Sequence, residues 1–238
     1  MLSLKDKKVL IVGGSSGIGL GAAKMIAEQG ANVTIVGRDR KRLDDALKNL
    51  PKGVVAKTLD ATSDAQVDAF FKAEPLWDHV VTSAGAGGRG VLPDIPMDRA
   101  FAAMDGKFWA YYRIARAVKL APDGSLTFVS GLLSQKPAQG AALVSAVNAA
   151  VEGLTGGLAL DFAPARVNTI CPGAVDTPLW DQLAPDARKA LYERVAKTLP
   201  ARMMGQPEHI AHSILMVMTN PYITGTVMFI EGGSRHVH

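Results

Sequence analysis

The chain has 238 residues, of which 48% are hydrophobic and 20% charged, so it can bury one sizeable core, and we expect one domain over residues 1–238. Its 26 lysines and arginines against 22 acidic residues give a net charge of +4, spread along the chain, which argues against a nucleic-acid partner. The single cysteine, Cys171, excludes an intramolecular disulfide framework, and no apolar run reaches the length of a membrane span. We therefore expect a cytoplasmic protein with no membrane partner.

Seven short runs rich in β-branched residues recur along the chain, with helical stretches between them. The first helical stretch, GIGLGAAKMIAEQG, places Ile18, Ala22 and Ile26 on one stripe and ends at Gly30. This alternation predicts a doubly wound α/β Rossmann fold, with a seven-stranded parallel sheet and helices on both faces. The predicted strands are KVLIVGG (8–14), ANVTIVGR (31–38), GVVAKTLD (53–60), DHVVTSAG (78–85), GSLTFVSG (124–131), RVNTICPG (166–173) and GTVMFIEGG (225–233).

Glycines follow the first predicted strand, in the run VLIVGGSSGIG. Gly13, Gly17 and Gly19 permit a tight turn and let backbone N–H groups approach a pyrophosphate at the N-terminus of the next helix. Because this turn stands between a strand and a helix, it indicates a dinucleotide site.

Basic residues follow the second predicted strand as Arg38, Arg40, Lys41 and Arg42. The cluster suits a phosphate, and it also suits the solvated start of a helix. Glycine- and proline-rich stretches at 83–96 and 171–180 follow two further strand ends, where open α/β sheets bind ligands. We interpret these stretches as the rim of a site.

Taken in order, these motifs resemble the short-chain dehydrogenase/reductase family from about residue 5 to residue 233. The matching pieces are the Gly13/Gly17/Gly19 turn, Asp60 after the third strand, SAG at 83–85, VSG at 129–131, RVNTICPG at 166–173, DTP at 176–178 and GTVMFIEGG near the end.

The resemblance implies a nicotinamide dinucleotide, with Asp60 on the adenine and Thr177 on the carboxamide. Relatives that prefer NAD tend to have an acidic residue after the second strand, where this chain has Arg38. A guanidinium there can bind a 2′-phosphate, assisted by the Ser15 hydroxyl, so we predict NADP(H). The predicted cofactor-binding residues are Gly13, Ser15, Ser16, Gly17, Ile18, Gly19, Arg38, Asp60, Ala61, Ala84, Gly85, Asn148, Pro172, Gly173 and Thr177.

The family transfers hydride between nicotinamide and a carbonyl or alcohol, using a Tyr and a Lys four residues apart on one helix, an Asn on the preceding helix and a Ser at a strand end. The ungapped match downstream places Val144 at the Tyr position and Asn148 at the Lys position. Asp105 is predicted at the Asn position, and Ser130 as the retained Ser. Valine has no ionisable proton, and Asn148 can bond a ribose hydroxyl but brings no charge.

Several groups are candidates for the missing proton donor. Asp105 would act as the acid if apolar neighbours raised its pKa, or it would only bond backbone groups at a helix kink. Ser130 would polarise a carbonyl or merely satisfy a strand end. We interpret Tyr111 and Tyr112 as core or interface aromatics. Lys107 and Lys136 are interpreted as solvated surface lysines.

Residues 179–205 occupy the variable substrate-loop region of the family, and the apolar stretch 140–162 suits the interface of a homodimer or homotetramer. The histidines of the tail lack further ligands, so no metal site is predicted. Two hypotheses follow. The first is an NADP(H)-dependent oxidoreductase with altered proton handling, acting on a small carbonyl, imine or activated C=C substrate. The second is a catalytically impaired NADP(H)-binding sensor or structural protein.

Overall fold

A computed structural model describes residues 2–74, 76–85 and 88–237. Its strands form one sheet in the order β3-β2-β1-β4-β5-β6-β7, and every neighbouring pair is parallel. The predicted seven-stranded parallel sheet is confirmed. The strands are β1 (Lys8–Val12), β2 (Asn32–Gly37), β3 (Val55–Thr58), β4 (Trp77–Thr82), β5 (Leu120–Val129), β6 (Arg166–Pro172) and β7 (Val227–Ile230).

Helices cover both faces of the sheet, as a doubly wound fold requires. One hydrophobic cluster joins the sheet to α1, α2 and α8, and a second joins it to α3, α5 and α6. The helices are α1 (Gly17–Glu28), α2 (Arg40–Leu47), α3 (Asp64–Ala73), α4 (Met97–Met104), α5 (Ala110–Ala117), α6 (Ala142–Asp161), α7 (Pro185–Thr198) and α8 (Pro207–Thr219).

The chain winds from β1 outward through β2 and β3, and then crosses to the other side of β1 at β4. This reversal opens a crevice between the carboxyl ends of β1 and β4, where such folds bind ligands. Strand β5 starts at Leu120, earlier than predicted, because Leu120 pairs with Trp77 before a bulge in the ladder. The strand ends at Val129, so Ser130 already lies beyond it.

A π-helical turn, Asp105–Trp109, connects α4 directly to α5. A π turn closes its hydrogen bonds over one more residue than an α turn, so it rotates the side chains that follow it relative to an α-helical register. The turn lies beside the crevice, since a Cβ added at Gly85 would lie 2.5 Å from the carbonyl oxygen of Gly106.

Helix α6 is the one helix in the described ranges whose length and composition would allow it to cross a membrane, with a mean hydropathy of 1.4 in its most apolar window. In the fold it packs on the sheet, and its buried residues are Val147, Asn148, Val151 and Thr155. Its opposite face consists of small exposed residues such as Ala146, Ala149 and Gly153. The helix is therefore a layer of the α/β fold with one uncovered face.

Candidate functional site

The glycine turn packs tightly against the end of β4. Gly13 has φ +82°, and a Cβ added there would lie 2.8 Å from the backbone nitrogen of Ala84. A Cβ at Gly19 would lie 2.2 Å from the carbonyl oxygen of Gly13. Side chains are therefore excluded at Gly13 and Gly19, and Ser16, the N-cap of α1, makes no side-chain capping bond. These features leave backbone N–H groups at the helix start available to an anion.

The basic cluster divides into residues that face the glycine turn and residues that do not. Arg42 donates to the Ser16 hydroxyl at 3.4 Å, and the Ser15 hydroxyl lies 3.8 Å from a Cβ placed at Gly37. Arg40 instead forms an ion pair with Asp44. Arg42 was part of the cluster noted in the sequence but was not predicted as a cofactor ligand. Arg42 contacts Ser16 because its position on helix α2 directs its side chain toward the glycine turn.

Asp60 follows β3 and is held by its own turn, because its carboxylate accepts hydrogen bonds from the backbone and hydroxyl of Thr62. Burial acts to raise the pKa of Asp60. The bonds from Thr62 and the charges of Arg38 and Arg113 outweigh that effect and hold the pKa below its ordinary value. Asp60 is thus an ionised hydrogen-bond acceptor at the same edge of the sheet as the glycine turn.

The other predicted cofactor-binding residues lie at the ends of β2, β3, β4 and β6 or in the glycine turn, apart from Asn148 on α6. A Cβ at Gly17 would lie 3.2 Å from the methyl carbon of Thr177, so Thr177 adjoins the glycine turn. Gly173 packs against Glu231, where a Cβ would lie 2.8 Å from the Glu231 Cα. Ile18 and Ala61 pack into the hydrophobic clusters on opposite faces of the sheet. The fold thus gathers these positions at one edge of the sheet.

Lys107 lies within this site, and its interpretation as a solvated surface lysine was wrong. Its ammonium donates to the carbonyl oxygen of Ser130 and to Oδ1 of Asn148, both at 2.9 Å. A Cβ at Gly85 would lie 2.9 Å from the Lys107 Cβ, so the lysine stem passes the end of β4. Burial lowers the pKa of Lys107 to about 8, against the charge of Glu152, which acts to raise it.

Sequence reasoning missed Lys107 because the π turn changes the side-chain directions along this helix. Asp105 belongs to the same π turn and was predicted as a catalytic residue, but its side chain bonds Arg113 instead. Its carboxylate pairs with Arg113 at 2.7 Å, and its side chain is 37% exposed. The carboxylate is therefore not enclosed by apolar neighbours, and an ion-paired carboxylate is a poor proton donor.

The Ser130 hydroxyl points into the α6 layer, which favours the second of its two predicted roles, satisfying a strand end, over polarising a carbonyl. It donates to the carbonyl oxygen of Asn148 at 3.0 Å and lies 3.3 Å from a carboxylate oxygen of Glu152. The next residue, Gly131, is the one that faces Asn148, since a Cβ there would lie 2.9 Å from the Asn148 Nδ2. The site thus has a glycine where a hydroxyl was expected.

Asn148 joins the two sides of the site. Its Oδ1 accepts from Lys107, and its Nδ2 donates to the carbonyl oxygen of Gly131 at 3.3 Å. Val144 precedes it by one helical turn on α6, so the two residues share a face. The end of the site where the resemblance predicts the Tyr and Lys positions, the reaction end, thus consists of the Val144 side chain, Gly131 and the Lys107–Asn148 pair.

Two further acidic groups near the site are held in the interior. The Tyr111 hydroxyl donates to the carbonyl oxygens of Ala84 and Val129, and burial raises the pKa of Tyr111. This agrees with its interpretation as a core aromatic. The Cys171 thiol donates to Glu152 at 3.4 Å, and burial together with the Glu152 charge raises the thiol pKa to about 12.

The predicted substrate-loop region folds as a 3₁₀ turn, Pro178–Trp180, followed by α7. Arg188 of α7 donates to Asp176 at 2.9 Å, and Tyr192 also donates to Asp176. The indole nitrogen of Trp180 donates to the carbonyl oxygen of Val175 at 2.7 Å. These bonds fasten the segment to the loop that contains Thr177.

Comparison with known proteins supports a dinucleotide-binding site. A family model described as enoyl-(acyl carrier protein) reductase matches residues 12–235. The chain is 31% identical to the short-chain dehydrogenase/reductase malC of Malbranchea aurantiaca, over 97% of this chain and 95% of that protein. It is 29% identical to the 3-oxoacyl-[acyl-carrier-protein] reductase FabG of Chlamydia muridarum, over 97% and 98%.

Among solved structures, the chain is similar to the NADPH-bound structure of a short chain oxidoreductase from Pseudomonas aeruginosa PAO1 that contains an atypical catalytic center. The two chains are 26% identical, with a TM-score of 0.88 over 98% of each.

Proposed function

Because the chain belongs to the short-chain dehydrogenase/reductase family, we propose that it is an NADP(H)-dependent oxidoreductase with a non-standard active site. It transfers hydride between the nicotinamide and a small carbonyl, imine or activated C=C substrate, or the corresponding alcohol. When bound, the nicotinamide supplies or accepts the hydride. The observation that supports this most directly is the ammonium of Lys107 beside Asn148, which keeps a positive charge at the reaction end of the site.

The residues of the chain supply binding and orientation. The glycine turn and the start of α1 hold the pyrophosphate, and Arg38, Arg42 and Ser16 bind the 2′-phosphate. Asn148 binds the nicotinamide ribose. Gly131 lets the Asn148 amide pack closely against the chain after β5, since a Cβ there would lie 2.9 Å from the Asn148 Nδ2. Such a site favours substrates whose reduction leaves a stabilised anion, since positioning against the nicotinamide then contributes much of the rate.

We also propose a homodimer or homotetramer in the cytoplasm. The uncovered face of α6 continues to Leu160, which is 81% exposed, and helices α4 and α5 expose Phe101 and Tyr112 by 67% and 42%. A second copy of the chain is the partner that would cover such a surface.

The function is tested by NADPH binding, followed by NADPH oxidation against ketones, imines, enones and quinones. We expect tight NADPH binding and the fastest turnover with an activated substrate. Faster turnover of unactivated ketones would contradict the substrate class. Binding without turnover of any compound would favour the second candidate, an NADP(H)-binding sensor or structural protein. That candidate has support in Val144, Gly131 and the inward-facing Ser130 hydroxyl, because none of them offers an acidic proton to a substrate.

A further inference from the structure

We propose that Lys107 is the catalytic proton donor, taking the place of the tyrosine that Val144 replaces. This inference rests on the proposed oxidoreductase function and names the residue that completes its reaction. It requires that the ammonium be near the nicotinamide, have a free N–H, and be acidic enough to give up a proton.

Contacts on two sides place Lys107 near the nicotinamide. Its stem packs against Gly85 at the end of β4, a residue predicted to line the cofactor. Its ammonium bonds Asn148, the residue at the position where the family places its ribose-binding lysine. An ammonium has three N–H donors, and two of them are used, on Ser130 and Asn148. No residue in the described ranges accepts from the third, which is available to a substrate oxygen or nitrogen.

Four other acidic groups near this site form bonds with other partners. The hydroxyls of Ser130 and Tyr111 donate to backbone carbonyls. Asp105 is ion-paired with Arg113. The Cys171 thiol is buried, bonds Glu152, and has a pKa of about 12. The buried hydroxyl of Ser145, next to Val144 on α6, has no hydrogen-bond partner among the described residues, but an alcohol is too weak an acid to serve as the donor. Lys107 is therefore the titratable group among the described residues that combines this position with an unused donor.

Burial and neutral hydrogen-bond partners make Lys107 a competent acid at neutral pH. Both of its hydrogen-bond acceptors are neutral oxygens. Burial lowers its pKa to about 8, while the charge of Glu152 on α6 acts in the opposite direction. An acid whose pKa lies near the working pH is largely protonated and still gives up its proton readily, which is the optimum for general acid catalysis.

With a carbonyl substrate, proton transfer from Lys107 accompanies hydride transfer from the cofactor. The carbonyl carbon gains a hydride from the reduced nicotinamide, and the π electron pair of the C=O bond moves to the oxygen. That oxygen takes a proton from the Lys107 ammonium, which becomes a neutral amine. The substrate is reduced to an alcohol, the nicotinamide is oxidised, and the amine regains its proton from solvent. An imine nitrogen would take the proton in the same way.

The first test compares Lys107→Met with Lys107→Arg, each measured for NADPH affinity and for kcat across pH. We expect NADPH affinity to change less than about fivefold in both, and kcat to fall by on the order of 100-fold or more, because the methionine has no proton and the arginine holds its proton too firmly. Lys48→Met is the matched control, since its side chain is 72% exposed and bonds Asp45 on the surface of α2. Its kcat should equal that of the wild type.

The second test changes the acidity of the amine. Lys107→Cys, alkylated with 2-bromoethylamine, restores an amine of similar length that is more acidic than lysine, while the other cysteine, Cys171, is buried. We expect kcat to recover in part, and the high-pH limb of kcat, near pH 8 in the wild type, to move to lower pH. A structural role would not move this limb.

The outcomes separate the two proposals. If the wild type turns over a substrate and Lys107→Met retains kcat within about threefold, Lys107 is not the donor and the oxidoreductase function stands. An unshifted limb in the alkylated variant also overturns the donor role. If the wild type binds NADPH but turns over nothing, both proposals fall.

Discussion

The Lys107 ammonium lies 2.9 Å from the amide oxygen of Asn148, and the two residues come from different helices. The family resemblance places an asparagine on the first of these helices and a lysine on the second. In this chain the two residue types are exchanged between the helices. An ammonium and an amide therefore meet at this site, with the positive charge entering from the side of β4.

The charge of Glu152 should tune Lys107. The carboxylate of Glu152 acts to raise the pKa of Lys107, so the isosteric change Glu152→Gln should lower that pKa below its value of about 8. We expect the high-pH limb of kcat to shift to lower pH, with NADPH affinity unchanged. The pH profile of kcat measures this. Glu193→Gln, in α7, is a control, and a limb at the same pH in both variants would contradict the prediction.

Two arginines should determine the preference for NADPH over NADH. Replacing Arg38 or Arg42 by alanine removes a charged donor to the 2′-phosphate, at a cost of about 1.5–3 kcal/mol, or roughly 10- to 100-fold in NADPH affinity. NADH affinity should change little, because NADH lacks that phosphate. Nicotinamide fluorescence titration measures both. Arg40→Ala is the control, since Arg40 is paired with Asp44, and an equal loss there would refute the assignment.

A buried histidine should make the fold sensitive to acid. His79 of β4 is 1% exposed, its Nδ1 lies 2.9 Å from the Ser125 hydroxyl, and burial lowers its pKa to about 4. Between pH 6.5 and 4 the unfolded chain binds the proton more readily, so stability falls as pH drops through this window, by about 1.6 kcal/mol between pH 6.5 and 5.

Urea unfolding at pH 7 and pH 5 measures this loss, and His79→Gln should reduce it while retaining a partner for Ser125. His212→Gln is a control, because His212 is exposed on α8. The same acid sensitivity in His79→Gln and in the wild type would rule out His79 as the cause.

The uncovered face of α6 should be an interface between copies of the chain. A Cβ added at Gly153 has nothing within 4 Å, so one chain alone accommodates a larger side chain there. Gly153→Arg should dissociate the oligomer, although arginine favours a helix over glycine by up to about 1 kcal/mol. Light scattering gives the mass, and Gly153→Ala is the smaller control. A wild-type monomer, or an arginine variant of unchanged mass, would contradict this interface.

The sequence alone predicted the parallel sheet and the glycine turn at its carboxyl edge. The alternation of β-branched runs and helical stretches gave seven parallel strands with helices on both faces, since strand burial and helix amphipathicity are local patterns. Gly13 and Gly19 were identifiable because a backbone that must approach another backbone closely tolerates only glycine. The register of α6 was also readable, which placed Val144 and Asn148 on one face.

Only the tertiary structure decided which polar groups meet at the reaction end. The π turn at Asp105–Trp109 rotates Lys107 toward Asn148 and leaves Asp105 with Arg113, and no local sequence pattern reports that rotation. The early end of β5 turns the Ser130 hydroxyl onto α6 and presents Gly131 instead. The pKa of Lys107 follows from burial and from the charge of Glu152 on α6, which lies far from it in sequence. The physical reason is that the chemistry depends on the directions of a few side chains, and those directions are determined by packing between distant elements.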